Sequence, residues 1–263
     1  MEKYNITLVL FTWLTQASVG LILLRSVYLR VSENESGAIN RKGTVSLLIA
    51  FIMLVAGLLF SFGHLHYPGH AYNAINNIGS SWMSREILAE IIFLTAVFTW
   101  YILVRVKIRS IPVIILEIIS LAAGISLIYF MIRTYMLPSL SELNHPSFPL
   151  SFIITPLLAG SSIMYFLILN KEQKLAIRFK LFLTILFIVS FINYIVFTSF
   201  QETLSNINII TIFYIGGFIA SLVSLYSTLK NKNASSDVIF VNLALICDLL
   251  NRVNALTFTN PAL

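Results

Sequence analysis

His64 and Glu86 stand at the facing ends of two apolar runs, joined by a polar stretch. Imidazole titrates near neutrality and a carboxylate accepts protons, so the pair suits proton removal from a donor held at hydrogen-bonding distance. Glu90 lies four residues beyond Glu86, on the same helical face. Arg133, Asp248 and Arg252 fall at a similar depth in other apolar runs. Charges in such runs are costly and usually functional. One reaction that needs bases at a bilayer surface is quinol oxidation, which releases two protons with two electrons. A quinol's isoprenoid tail prefers lipid, so its ring is reached near a membrane face. His64 and Glu86 are the expected proton acceptors, with Arg133 and Arg252 shaping the pocket's field.

Plainer readings stand beside this one. Carboxylates near a helix start are favoured by the helix dipole, and Glu86 could simply pair with Arg85 or Arg133. A histidine at a helix end often serves as an interfacial hydrogen-bonding group. His64, His66 and His70 suggest a metal, but Pro68 and Gly69 interrupt the spacing and no Cys or Glu lies among them. No metal is expected. Haem between membrane helices commonly needs two histidines within helices, and His145 falls in a loop beside Pro146. No haem is expected. The single cysteine, Cys247, rules out an iron–sulfur cluster held by this chain alone and reads as a small core residue. The electrons of a quinol would therefore pass to a cofactor on a partner.

The elements that position these residues are long apolar runs. The 263 residues are 58% hydrophobic and only 11% charged, with mean hydropathy +0.89. A soluble domain has about 25% charged residues. About 20 apolar residues cross a bilayer as a helix, and unalternating runs do not suit barrel strands. The expected fold is all-α and integral to the membrane: a bundle of eight transmembrane helices near 6–28, 45–63, 86–106, 111–133, 150–169, 179–199, 208–229 and 238–257, forming one domain. No sequence repeat is evident. The first run follows only Glu2 and Lys3 and precedes Arg25 and Arg30, so it is expected to be retained rather than cleaved.

Thirteen of the 17 Lys and Arg residues fall in alternate loops, on the side that holds Arg25, Arg105, Lys180 and Lys230. The positive-inside rule then puts both termini outside, in the periplasm of a bacterium. On that side gather His64, Glu86, Arg133, Asp248 and Arg252. The inner side offers little beyond loop cations, apart from Glu117, expected to pair with Arg105 or Lys107 or to snorkel to the surface. The net charge of +6 is a matter of orientation, and nucleic-acid binding is not expected. Ala159-Gly160-Ser161-Ser162 and Gly216-Gly217 read as close helix contacts.

The stretch Ser61-Phe-Gly-His64-Leu-His-Tyr-Pro68, through Ala71-Tyr-Asn73-Ala-Ile-Asn76-Asn-Ile-Gly79, to Ser84-Arg-Glu86-Ile resembles the anchor subunit family of dimethyl sulfoxide reductases (DmsC type). Weaker echoes are Arg133-Thr-Tyr135, Thr155-Pro156 and Asp248-Leu-Leu-Asn251-Arg252, where Asn251 replaces the family's glycine. The resemblance implies a haem-free anchor in the bacterial inner membrane that oxidises menaquinol in anaerobic respiration. It also implies two partners: a four-cluster ferredoxin-like iron–sulfur subunit and a molybdopterin catalytic subunit. By motif position the family's quinol-site histidine falls on His64 and its acidic partner on Glu86. Two alternatives remain. A secondary transporter predicts internal pseudo-symmetry and polar groups at mid-membrane, and a non-catalytic scaffold predicts no bound quinone.

Overall fold

Each apolar run folds as one helix, because backbone groups in lipid must be satisfied within the segment. The computed structural model describes residues 6–32, 37–64, 73, 75–107, 111–136, 144–169, 173–200, 209–229 and 235–257. They form α1 (Ile6–Val31), α2 (Gly37–His64), α3 (Trp82–Arg105), α4 (Ile111–Tyr135), α5 (Ser147–Ile168), α6 (Gln173–Phe200), α7 (Ile209–Leu229) and α8 (Ser235–Thr257). The first seven contain stretches long and apolar enough to cross a membrane. This is a multi-pass helical membrane protein. α8 carries Asp237, Asp248, Asn251 and Arg252, and all four are buried against neighbouring helices.

The outer surface is apolar, as lipid requires. Ile111, Ile114, Ile115, Ile118 and Ile119 form an exposed stripe on α4, and Ile212, Ile215, Phe218, Ile219 and Leu222 form another on α7. Their spacing marks one helical face. Hydroxyls within the helices turn back onto carbonyls: Thr12 donates to Leu8 O and Val9 O, and Thr184 to Lys180 O. Ser81 caps α3 by accepting from the Ser84 N–H at 3.3 Å.

α1 and α5 sit at the centre, buried along most of their length. Around them the pairing is duplicated. α1 packs on α2, α2 on α3, α3 on α4 and α4 on α1; the second half repeats this with α5–α6, α6–α7, α7–α8 and α8–α5. No sequence repeat announces this pattern. The halves meet chiefly along α1 and α5. A Cβ on Gly20 would lie 1.6 Å from Pro156 O, and one on Gly160 would lie 2.3 Å from the Gly20 carbonyl carbon. The two backbones therefore touch, which only glycine allows. The second small pair behaves unevenly: Gly217 abuts the Phe187 ring, whereas a Cβ on Gly216 would meet nothing within 4 Å.

Candidate functional site: a buried polar chamber

At the end of the bundle where α1, α3 and α5 begin and α4 and α8 finish, five helices turn polar side chains inward. α3 supplies Glu86 and Glu90, both almost fully buried. The Thr15 hydroxyl of α1 donates to Glu90 Oε1 at 3.4 Å. Glu86 Oε2 is buried with no hydrogen-bond partner among the described residues. The Thr134 hydroxyl of α4 stands beside Glu86, outside hydrogen-bonding geometry, and is itself buried and unpartnered among those residues. Tyr135 lies within electrostatic reach of Glu86, Glu90 and Arg252.

A second group of polar side chains comes from α8. Asp248 and Arg252 are one turn apart and share a face. Trp13 Nε1 donates to Asp248 Oδ2 at 2.9 Å, and Thr155 Oγ1 donates to Asp248 Oδ1 at 2.9 Å. Arg252 Nη2 donates to Gln16 Oε1 at 2.6 Å and to Thr155 Oγ1 at 3.1 Å. Its guanidinium lies over the Phe152 ring, 3.9 Å from the centroid. Its Nε and Nη1 are buried without partners among the described residues.

Leaving a buried donor or acceptor unmade costs about 1–3 kcal/mol, and more for charged groups. A helix bundle that tolerates this on a carboxylate and a guanidinium retains them for something other than stability. Among the described residues Glu86 thus calls for a donor and Arg252 for an acceptor, with Tyr135 within electrostatic reach of both. Among the described residues no three His, Cys, Asp or Glu side chains gather as metal ligands.

Of the residues singled out by sequence, Glu86, Glu90, Asp248 and Arg252 gather here. His64 is the last residue of α2, and its side chain, like His66 and His70, lies outside the described residues. Arg133 is exposed and does not line the chamber; its guanidinium stacks on Trp82, 4.9 Å from the ring centroid. Arg85 stacks on the same ring at 4.3 Å. Neither arginine forms an ion pair with Glu86 among the described contacts, so simple dipole-and-pairing does not account for that carboxylate. Gln16, Thr155, Trp13 and Thr15 carry much of the chamber's hydrogen bonding, and neutral polar residues scattered in apolar runs gave little signal of it.

The other end of the bundle is richer than the loop-cation reading anticipates. Lys180 and Asp237 form a buried ion pair at 2.9 Å. Tyr165 donates to Asp237 Oδ2 at 2.7 Å, and Ser224 donates to Asp237 Oδ1. Arg25 is buried over Trp100, 4.1 Å from the ring centroid, with Nε donating to Gly43 O at 2.9 Å. Glu117 pairs with Arg30 of α1 at 2.7 Å rather than with Arg105 or Lys107. A neighbouring helix offers a cation across the interface, whereas the sequence neighbours lie beyond a turn. Cys247 is a free, buried thiol.

The family model for the DMSO reductase anchor subunit (DmsC) matches residues 1–256. Over 173 residues the sequence is 32% identical to the C subunit of the anaerobic dimethyl sulfoxide reductase of Haemophilus influenzae, covering 65% of this protein and 61% of that one. Over 155 residues it is 26% identical to the YnfH subunit of an anaerobic dimethyl sulfoxide reductase of Escherichia coli, covering 58% and 54% respectively. The matched region thus spans less than two thirds of either relative's length. No solved structure matches the sequence.

Proposed function

Because the protein belongs to the DmsC family of DMSO reductase anchor subunits, we propose that it anchors a DMSO-reductase-type complex and oxidises menaquinol near one membrane face. The observation that carries this reading is the pairing of needs in one buried polar cluster: among the described residues Glu86 Oε2 lacks a donor while Arg252 Nε and Nη1 lack acceptors. A quinol hydroxyl donates its proton to Glu86. Arg252 faces the ring oxygens and stabilises negative charge as the proton leaves. His64, at the end of α2, takes the second proton. Asp248, Gln16 and Thr155 hold Arg252 in place. The two electrons pass to a redox cofactor of a partner, the iron–sulfur subunit that the family resemblance implies, and from there to a molybdopterin subunit.

The lysine and arginine bias supports an orientation with this end on the periplasmic side of the bacterial inner membrane, where released protons would leave. The duplicated helix pairing is what the transporter alternative anticipates. Family membership favours the anchor.

The test uses the assembled complex in membrane vesicles. Glu86→Gln keeps the shape but cannot accept the proton, so quinol-dependent reduction should fall by about 100-fold or more. Reduction driven by a soluble dye that feeds the partner's redox centres directly should persist. His64→Ala should behave alike. Wild-type quinol turnover in Glu86→Gln would reject the assignment.

A further inference from the structure

We propose that the rim between α3 and α4 is a binding site for an anionic phospholipid, separate from the polar chamber. Trp82, the first residue of α3, has the guanidinium groups of Arg85 and Arg133 within 4.3 and 4.9 Å of its ring centroid. Its ring also meets Tyr129 and Phe130, at centroid distances of 6.0 and 6.2 Å. Arg85 is fixed by donating to Ile78 O at 2.8 Å and Gly79 O at 2.6 Å, which leaves further N–H groups to offer. Among the described contacts no carboxylate pairs with either arginine. Two cations mounted on a tryptophan form a phosphate-binding rim of the kind found at membrane interfaces.

Beneath this rim runs a groove of about 510 Å³ with Arg85 in its wall. Leu88, Ala89 and Ile92 of α3 and Ala122, Ala123 and Phe130 of α4 line it, and the alanines form the trough. Its α4 wall spans Ile119 to Phe130, about 16 Å at 1.5 Å per residue. One leaflet of hydrocarbon is about 15 Å deep. The groove therefore takes one acyl chain while its phosphate meets the arginines at the rim. None of the chamber's carboxylates lines it, so the groove opens to lipid on a different face of α3 from Glu86 and Glu90.

The test is quenching of Trp82 fluorescence in nanodiscs holding the full-length protein. Brominated phosphatidylglycerol is compared with brominated phosphatidylcholine at equal low mole fraction, and Trp82→Phe isolates the signal. Each arginine at a membrane surface is worth roughly a factor of five, so the anionic lipid should be preferred on the order of 25-fold. Arg85→Gln with Arg133→Gln should erase the preference, and the paired lysine variants should keep most of it. Equal quenching by both headgroups in the wild-type protein, which needs no variant to fold, would overturn the proposal. So would a preference that survives the glutamine pair, or displacement of the brominated lipid by a long-tailed quinone.

Discussion

Gly20→Ala is the sharpest probe of how the two halves are joined. The added Cβ would stand 1.6 Å from Pro156 O, and ordinary contact begins near 3.4 Å. The α1–α5 crossing must therefore open by about 1.8 Å, because the obstructing atom is backbone and cannot swing aside. Overpacking alone costs about 1–3 kcal/mol. The same crossing holds Gln16 and Thr155 around Arg252, at 2.6 and 3.1 Å. An opening of that size breaks at least one of these bonds, and hydrogen bonds to charged groups are worth about 1.5–3 kcal/mol. The expected loss is about 3–5 kcal/mol, read by reversible unfolding in mixed micelles. Gly216→Ala is the control, since its Cβ meets nothing within 4 Å; removing a helical glycine there should stabilise by about 0.5–1 kcal/mol. Equal stability of the two variants would refute the backbone contact.

Lys180→Met strands the buried Asp237 carboxylate and should cost about 3–5 kcal/mol, whereas adding Asp237→Leu should recover most of the loss; a double-mutant cycle of unfolding free energies reads the coupling. Thr155→Val removes a donor from Asp248 and an acceptor from Arg252. It should cost roughly 2–4 kcal/mol, about two unmade buried bonds, and should raise the KM for quinol more than it lowers kcat, since Arg252 loses its fixed position. Unchanged stability and KM in that variant would contradict the hydrogen-bond chain.

The helices were legible because lipid imposes a length and a composition that survive any reading of detail. Helix ends were less so: α2 begins at Gly37 and α6 at Gln173, since polar residues continue a helix past the hydrocarbon. That extension is why Lys180, read as a loop cation, lies inside the bundle opposite Asp237. Glu86 and Arg252 stood out as charges in apolar surroundings. The groups that orient them did not, because a Gln, a Thr or a Trp in an apolar run acquires its role only from the helix beside it. Arg133 shares the depth of the chamber but not its direction, and depth alone does not reveal which way a side chain turns. The duplicated pairing left no trace in residue identity, since helix packing in lipid asks mainly for small and apolar residues in the right places.

The chamber takes Glu86 and Glu90 from one four-helix set and Asp248 and Arg252 from the other, and a single connection after Met136 links the two sets. This polar cluster is thus a product of docking rather than of either portion alone. Severing the polypeptide between α4 and α5 should leave two fragments that reassemble within the bilayer when co-expressed, bringing the carboxylates of α3 back beside the arginine of α8. Neither piece supplied by itself could complete the constellation.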